Sequence, residues 1–226
     1  SGTVRSVDLD TNEVSTLGGF PYEFAVFDGP LNQARFESPR GCGFLPNNEG
    51  IVIADGPTLR WINQNEETVT TLTGRAGETG NQDGSSSEAR LGYLTHDLIW
   101  DPTGTFAFLS DRSNDRLRLF VKETQTLHAF GPLMNGERRL RLSGPGGLAF
   151  TDAGDLLIAD TFNGRLIRVD INTLNIPQMI TSQAQQDQTL TLDFGMIEAE
   201  VISDALSAPQ GVATTEDKAW VAGFDG

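Results

Sequence analysis

The sequence predicts an all-β protein assembled from small repeated sheets, and three observations carry that expectation. The first is punctuation: 226 residues hold 25 glycines and 10 prolines, which divides the chain into short extended runs and tight turns. The second is patterning. Runs of four to six residues rich in Val, Ile, Leu and Phe stand between Gly, Pro, Asn and Asp clusters, as strands do. The third is self-similarity. GIVIADGPTLRWIN (50–63), TFAFLSDRSNDRLRLFV (105–121) and DLLIADTFNGRLIRVD (155–170) each run an apolar strand into Asp55, Asp111 or Asp160. Each then turns and resumes five positions later at Arg60, Arg116 or Arg165.

Each element of the unit follows in order. Ahead of the three hairpins lie short apolar runs, SPRGCGFL, THDLIWD and GPGGLAFT, which read as first strands. Gly41, Gly43, Gly146, Gly147 and Gly211 in these runs predict close approach between neighbouring strands near a central axis. Cys42, between two of those glycines, reads as buried packing. Behind the hairpins, ETVTTLTG, ETQTLHAFG and IPQMITS are rich in β-branched residues and read as fourth strands. Four strands per unit, repeated at forty to fifty residues, is the pattern of a β-propeller.

The two ends complete the count. APQGVATTEDKAWVAGFDG (208–226) supplies a first and second strand, and SGTVRSVDLDTNEVSTLGG (1–19) a third and fourth. Joined, they align with the third hairpin, which predicts a blade shared by residues 1–19 and 207–226. The expected architecture is then a single domain, 1–226, closed as four four-stranded blades. The complete blades cover about 20–74, 75–131 and 132–182, with a linking insertion at about 183–206. The alternative is a fragment of a larger, for example six-bladed, propeller. Ser1-Gly2-Thr3 does not begin a signal peptide and reads as cut from a longer chain.

The repeats resemble the NHL family of β-propellers, best in LSGPGGLAFTDAGDLLIADTFNGRLIRVD. The loops FDGPLNQARFESPRG (27–41) and AGETGNQDGSSSEARLGYLTHD (76–97) add to the likeness, sharing Asp-Gly and then Ala-Arg before an apolar residue. The resemblance implies a non-catalytic interaction scaffold that presents a propeller face to a protein or ligand. The pattern breaks where His96 and Asp97 replace Pro-x-Gly, where Gly223 replaces Asp, and in the divergent segments 74–90, 132–142 and 181–206.

Sixteen Lys and Arg against 31 Asp and Glu leave a net charge of −15. That balance repels phosphate backbones and anionic lipid, so the expected partner is a protein and neither nucleic acid nor membrane. A single cysteine excludes an intrachain disulfide and two-cysteine metal motifs.

Most of the candidate chemistry also has a structural reading. Asp55, Asp111 and Asp160 stand where a carboxylate accepts bonds from turn amides, and Arg60, Arg116 and Arg165 stand where a guanidinium can pair with them. His96 with Asp97, near the axis, forms a local polar site. These eight residues are the binding candidates. DLDTNE (8–13) imitates an EF-hand loop but has Glu13 where glycine is required, so it reads as a turn. No nucleophile elbow or phosphate loop is present in the sequence, so no catalytic residue, metal ligand or cofactor is assigned. The competing reading is a metal-dependent propeller hydrolase or lyase with calcium or zinc on the axis. The loops 81–88 and 183–188 are candidate contact elements.

Overall fold

The structure is a computed structural model that describes residues 2–184, 192–215 and 218–223. It opens with a hairpin of β1 (Thr3–Val7) and β2 (Val14–Gly19). The DLDTNE segment is its turn, closed by the Asp8 carboxylate, which accepts from the amides of Asp10 at 3.0 Å and Thr11 at 2.8 Å.

Two five-stranded sheets of identical order follow. The first holds β3 (Gly29–Pro30), β4 (Pro39–Leu45), β5 (Gly50–Asp55), β6 (Thr58–Asn63) and β7 (Thr68–Gly74), paired β4-β5-β6-β7-β3. The second holds β8 (Gly84–Ser85), β9 (Thr95–Trp100), β10 (Phe106–Asp111), β11 (Arg116–Val121) and β12 (Thr126–Phe130), paired β9-β10-β11-β12-β8.

The third unit departs from that plan. A small hairpin, β13 (Leu133–Asn135) with β14 (Arg138–Leu140), precedes β15 (Pro145–Phe150), β16 (Leu156–Asp160) and β17 (Arg165–Val169). Helix α1 (Ile176–Ala184), β18 (Ile197–Glu198) and β19 (Glu200–Ser203) follow, and the sheet order is β15-β16-β17-β19. The last described strands, β20 (Pro209–Thr215) and β21 (Lys218–Gly223), form a hairpin.

The strands hold the sheets together because alternate side chains enter different cores. On β5, Ile51 and Ile53 pack with Phe36, Ile62 and Val69 toward the first hairpin. Val52 and Ala54 point the other way, into a layer with Leu98, Trp100, Leu109 and Phe120 of the second sheet. β10 repeats the division, with Phe106 and Phe108 meeting Leu156, Ile158 and Ile167 of the third. Burial on both faces explains why β5 and β10 read as continuous apolar runs.

The first strands pack in series, β4 on β9, β9 on β15 and β15 on β20. A Cβ on Gly41 would lie 2.6 Å from the Asp97 Cα, and one on Gly147 would lie 2.7 Å from the Gly211 Cα. Glycine at both sites lets neighbouring backbones touch, as the sequence predicts. Gly211 is the exception, because a Cβ there would meet only Ala222, at 3.8 Å.

Two expectations are corrected. IPQMITS is the start of helix α1, not a fourth strand. Pro177 is tolerated in a first turn, where no amide needs an intrahelical partner. Ile176 and Ile180 lie on one helical face, and both are buried between the second and third sheets. The fourth strand is β19, from the stretch read as a linking insertion.

The shared blade does not form among the described residues, since β1 pairs with β2 alone and β20 with β21 alone. The hairpins are anchored at opposite ends of the series: β2 packs on the loop before β4 through Gly18, against Leu31 and Phe36, and β20 packs on β15. Complementary sequence halves do not encode the angle between blades, which is set by side-chain packing at their interfaces.

Candidate functional site

The repeated aspartates are structural keystones. Asp55, Asp111 and Asp160 are fully buried at the ends of the second strands. Each accepts an amide from the segment leading into its own sheet's first strand: Ser38 donates to Asp55 at 2.6 Å, Gly92 to Asp111 at 3.1 Å and Ser143 to Asp160 at 2.7 Å. In the two four-residue turns an asparagine fills the remaining lone pairs, Asn114 at 2.8 Å from Asp111 and Asn163 at 2.9 Å from Asp160. Burial pushes the Asp55 and Asp111 carboxyls up, against the pull of these bonds and of a neighbouring guanidinium.

The arginines are not equivalent, although their spacing from Asp is constant. The first hairpin turns in two residues, so Asp55 faces Thr58 and Arg60 lies two positions further along β6. The other hairpins turn in four, so Arg116 faces Asp111 and Arg165 faces Asp160. The counterpart of Arg60 is Arg118, which the sequence reading missed. Arg60 donates to Asp55 at 3.1 Å, Asp28 at 2.7 Å and the carbonyls of Arg35 and Phe27, both at 3.0 Å. Arg118 donates to Asp111 at 3.3 Å, Asp83 at 2.7 Å and the carbonyls of Arg90 at 3.2 Å and Gln82 at 2.9 Å.

The Asp-Gly and Ala-Arg pairs of the two similar loops are thereby explained. Asp28 and Asp83 tie the buried arginine to the amides of Thr71 and Ala129 in the fourth strands, both at 2.9 Å. Arg35 and Arg90 brace their loops through Glu23 at 2.5 Å and Glu78 at 2.8 Å. Arg165 bonds Asp160 at 2.7 Å. Arg116 is half-buried, and its side chain has no hydrogen bond or ion pair among the described residues.

His96 and Asp97 part company. Asp97 is a strut between sheets: its carboxylate accepts from Leu148 of β15 at 3.0 Å and from Leu98 at 2.9 Å. Burial pushes its carboxyl up. His96 is half-buried and its Nδ1 is enclosed without a partner. Burial first, then the charges of Arg112 and Arg40, hold its imidazole below the ordinary value.

Around His96 several sheets converge. Arg112, at the end of the β10 strand, donates to Gln210 of β20 at 3.0 Å and lies 4.9 Å over the Phe162 ring beyond β16. Arg40 stands on β4, whose alternation leaves Arg40, Cys42 and Phe44 on one exposed face. Cys42 is therefore exposed, which corrects the packing expected of it. A cationic mouth thus forms at the starts of the first strands, built from residues of four sheets in a strongly acidic chain. Among the described residues no group of three or more His, Cys, Asp or Glu is arranged to hold a metal. No described helix is long and apolar enough to cross a membrane. Loop 81–88 supplies Asp83 to the Arg118 network, while 185–188 lie outside the described residues.

Serial packing of small antiparallel sheets through glycine-rich first strands defines a β-propeller-like protein. Solved structures agree on that class. A chain of the nidogen/laminin complex matches with a TM-score of 0.62 at 12% identity, covering 98% of this chain and 64% of that one. Virginiamycin B lyase from Staphylococcus aureus matches at 0.51 and 13% identity, over 82% of this chain and 49% of the lyase. An auxiliary nutrient binding protein from Bacteroides thetaiotaomicron matches at 0.50 and 16% identity, over 70% and 40%. The chain spans between 40% and 64% of the length of these structures, and at such identities the likeness shows the fold alone. No family model and no curated protein matches the sequence.

Proposed function

We propose that the chain is an NHL-type propeller arc acting as a non-catalytic interaction scaffold, with a protein partner docked at the cationic mouth. The observation that carries this reading is the convergence of Arg40, His96, Arg112, Phe162 and Gln210 from four sheets. Arg112 over an aromatic ring that is 68% exposed, with the charge of Arg40 acting on His96 and Arg112, suits an acidic protein surface with an apolar anchor. The net charge of −15 weighs against nucleic acid and anionic membrane as partners. The names of two neighbours, a nidogen/laminin complex and a nutrient binding protein, are consistent with binding on this fold.

The arc is read as part of a larger, for example six-bladed, propeller. Support comes from Trp220 on β21, which is 60% exposed, a surface that a further strand would cover.

A photo-crosslinking amino acid in place of Phe162 tests the docking face in source-cell extract. A discrete adduct is expected there, lost on Arg40→Glu with Arg112→Glu, and none from the same probe in place of Thr70 on the outer sheet. Equal labelling from both positions would overturn the reading. A rise in melting temperature with calcium or zinc that EDTA reverses would favour the metal-dependent hydrolase or lyase instead.

A further inference from the structure

Arg116 is the repeat residue that the blade networks leave free. Its counterparts are occupied: the Thr58 hydroxyl donates to the Asp55 carbonyl at 2.7 Å, and the Arg165 Nε donates to Asp160 at 2.7 Å. Asp111 already receives Arg118, Asn114 and the Gly92 amide. The Arg116 Nε is left buried without a partner, an arrangement that costs desolvation with no compensating bond.

Arg116 lines a groove of about 590 Å³ between the β11–β12 edge and the β13–β14 hairpin, within the range of about 300–1,000 Å³ usual for small-molecule sites. The groove lies where the repeat breaks. In the first two sheets a loop delivers Asp28 or Asp83 to a buried arginine, but in the third Ile167 takes that arginine's place in the ladder. The hairpin 133–140 stands where the loop would run, and it brings no carboxylate to Arg116.

The groove's chemistry is two-sided. Ala129, Pro132 and Leu142 are half-buried and give the groove its apolar surface, backed by the buried Leu117, Phe130, Leu133 and Leu140. Arg139 and Arg141 are exposed at the rim, without ion pairs among the described residues. Asp115 is the one acid among the lining residues, and its carboxylate holds the Gly144 amide at 2.7 Å. A neutral apolar ligand would leave the Arg116 guanidinium unanswered, and a bare inorganic anion would leave the apolar wall wet.

We infer that this groove binds a small amphiphilic organic anion, a phosphate ester or carboxylate on an aromatic or branched aliphatic body. Arg116, Arg139 and Arg141 take the anionic head through charge-assisted bonds, and Ala129, Pro132 and Leu142 pack against the body. The groove shares no lining residue with the cationic mouth, and the inference stands whether or not a protein docks there.

Calorimetric titration of the full chain with naphthyl phosphate, naphthoate, inorganic phosphate and naphthol tests it. The tighter of the two naphthyl anions, which identifies the preferred head group, should bind at least about tenfold more tightly than inorganic phosphate or naphthol. Arg116→Gln with Arg139→Gln should weaken it by about tenfold or more. Arg138→Gln, on the same hairpin but outside the groove lining, should leave it unchanged. Should the Arg116 variant fail to fold, Arg139→Gln with Arg141→Gln alters only exposed side chains and carries the same expectation. Binding no tighter than inorganic phosphate, or wild-type affinity in a folded groove variant, would overturn the proposal.

Discussion

Arg118 reaches Asp111 at 3.3 Å with both side chains fully buried, and it does so from two residues beyond the arginine that sequence spacing pairs with that carboxylate. Both arginines point to the same side of β11, two residues apart, and depth along the ladder separates them. Arg118, opposite Leu109, enters the interior beneath the 75–93 loop, whereas Arg116, at the start of the strand, lines the groove.

Removal of Arg118 strands a buried carboxylate. Arg118→Met should therefore destabilise the protein by about 3–5 kcal/mol, the usual cost of breaking a buried pair from one side. Arg116→Met removes no bond among the described residues and should change stability by about 0.5 kcal/mol or less. Denaturant unfolding of the two variants distinguishes them, and equal losses would contradict the non-equivalence of the two arginines.

The facing glycines of β15 and β20 make a second contrast. A Cβ on Gly147 would lie 2.6 Å from the Val212 amide nitrogen, whereas one on Gly211 would find ordinary contact at 3.8 Å. Gly147→Ala should cost about 1–3 kcal/mol or more by forcing two backbones apart, and Gly211→Ala should fall within about 0.5 kcal/mol of wild type. Thermal melts of the pair test whether blade approach is set by one strand or by both. Comparable melting temperatures would show that the β15–β20 spacing yields to an added methyl.

What the sequence revealed was local. Hairpins ending in Asp55, Asp111 and Asp160 were legible because turn chemistry and strand alternation act over a few residues. IPQMITS was misread because a short apolar run fits strand or helix equally, and its burial against two sheets decides the matter. Arg118 was hidden by turn length, since two-residue and four-residue turns place the same spacing at different ladder positions. The mouth was invisible because Arg112 and Gln210 are 98 residues apart. The groove did leave a signal, the divergence of 132–142, but divergence alone says nothing of which side chains meet.

His128 gives the chain a pH-dependent stability of definite sign. The side chain is 3% exposed on β12, with Nε2 2.8 Å from the Thr126 hydroxyl. Burial is the main force holding its pKa down from 6.5 to about 4; Asp83 opposes the shift and Arg118 adds to it. The unfolded chain takes up this proton near 6.5 and the folded chain only near 4. Between those values the unfolded state binds more protons, so stability is full above pH 6.5 and drains as pH falls toward 4. The loss from this one group is at most about 3 kcal/mol. The buried Asp55, Asp97 and Asp111 carboxyls, raised by burial, act in the opposite sense. Their contribution is present at low pH and lost as pH rises through their folded values, so a wild-type curve alone mixes the two effects. His128→Gln keeps a hydrogen-bonding group beside Thr126 and removes the titration. Urea melts of both proteins from pH 7 to 4 should show the wild type losing stability more steeply than the variant, by up to about 3 kcal/mol at the acid end. Parallel curves would mean that His128 is protonated alike in the folded and unfolded chain.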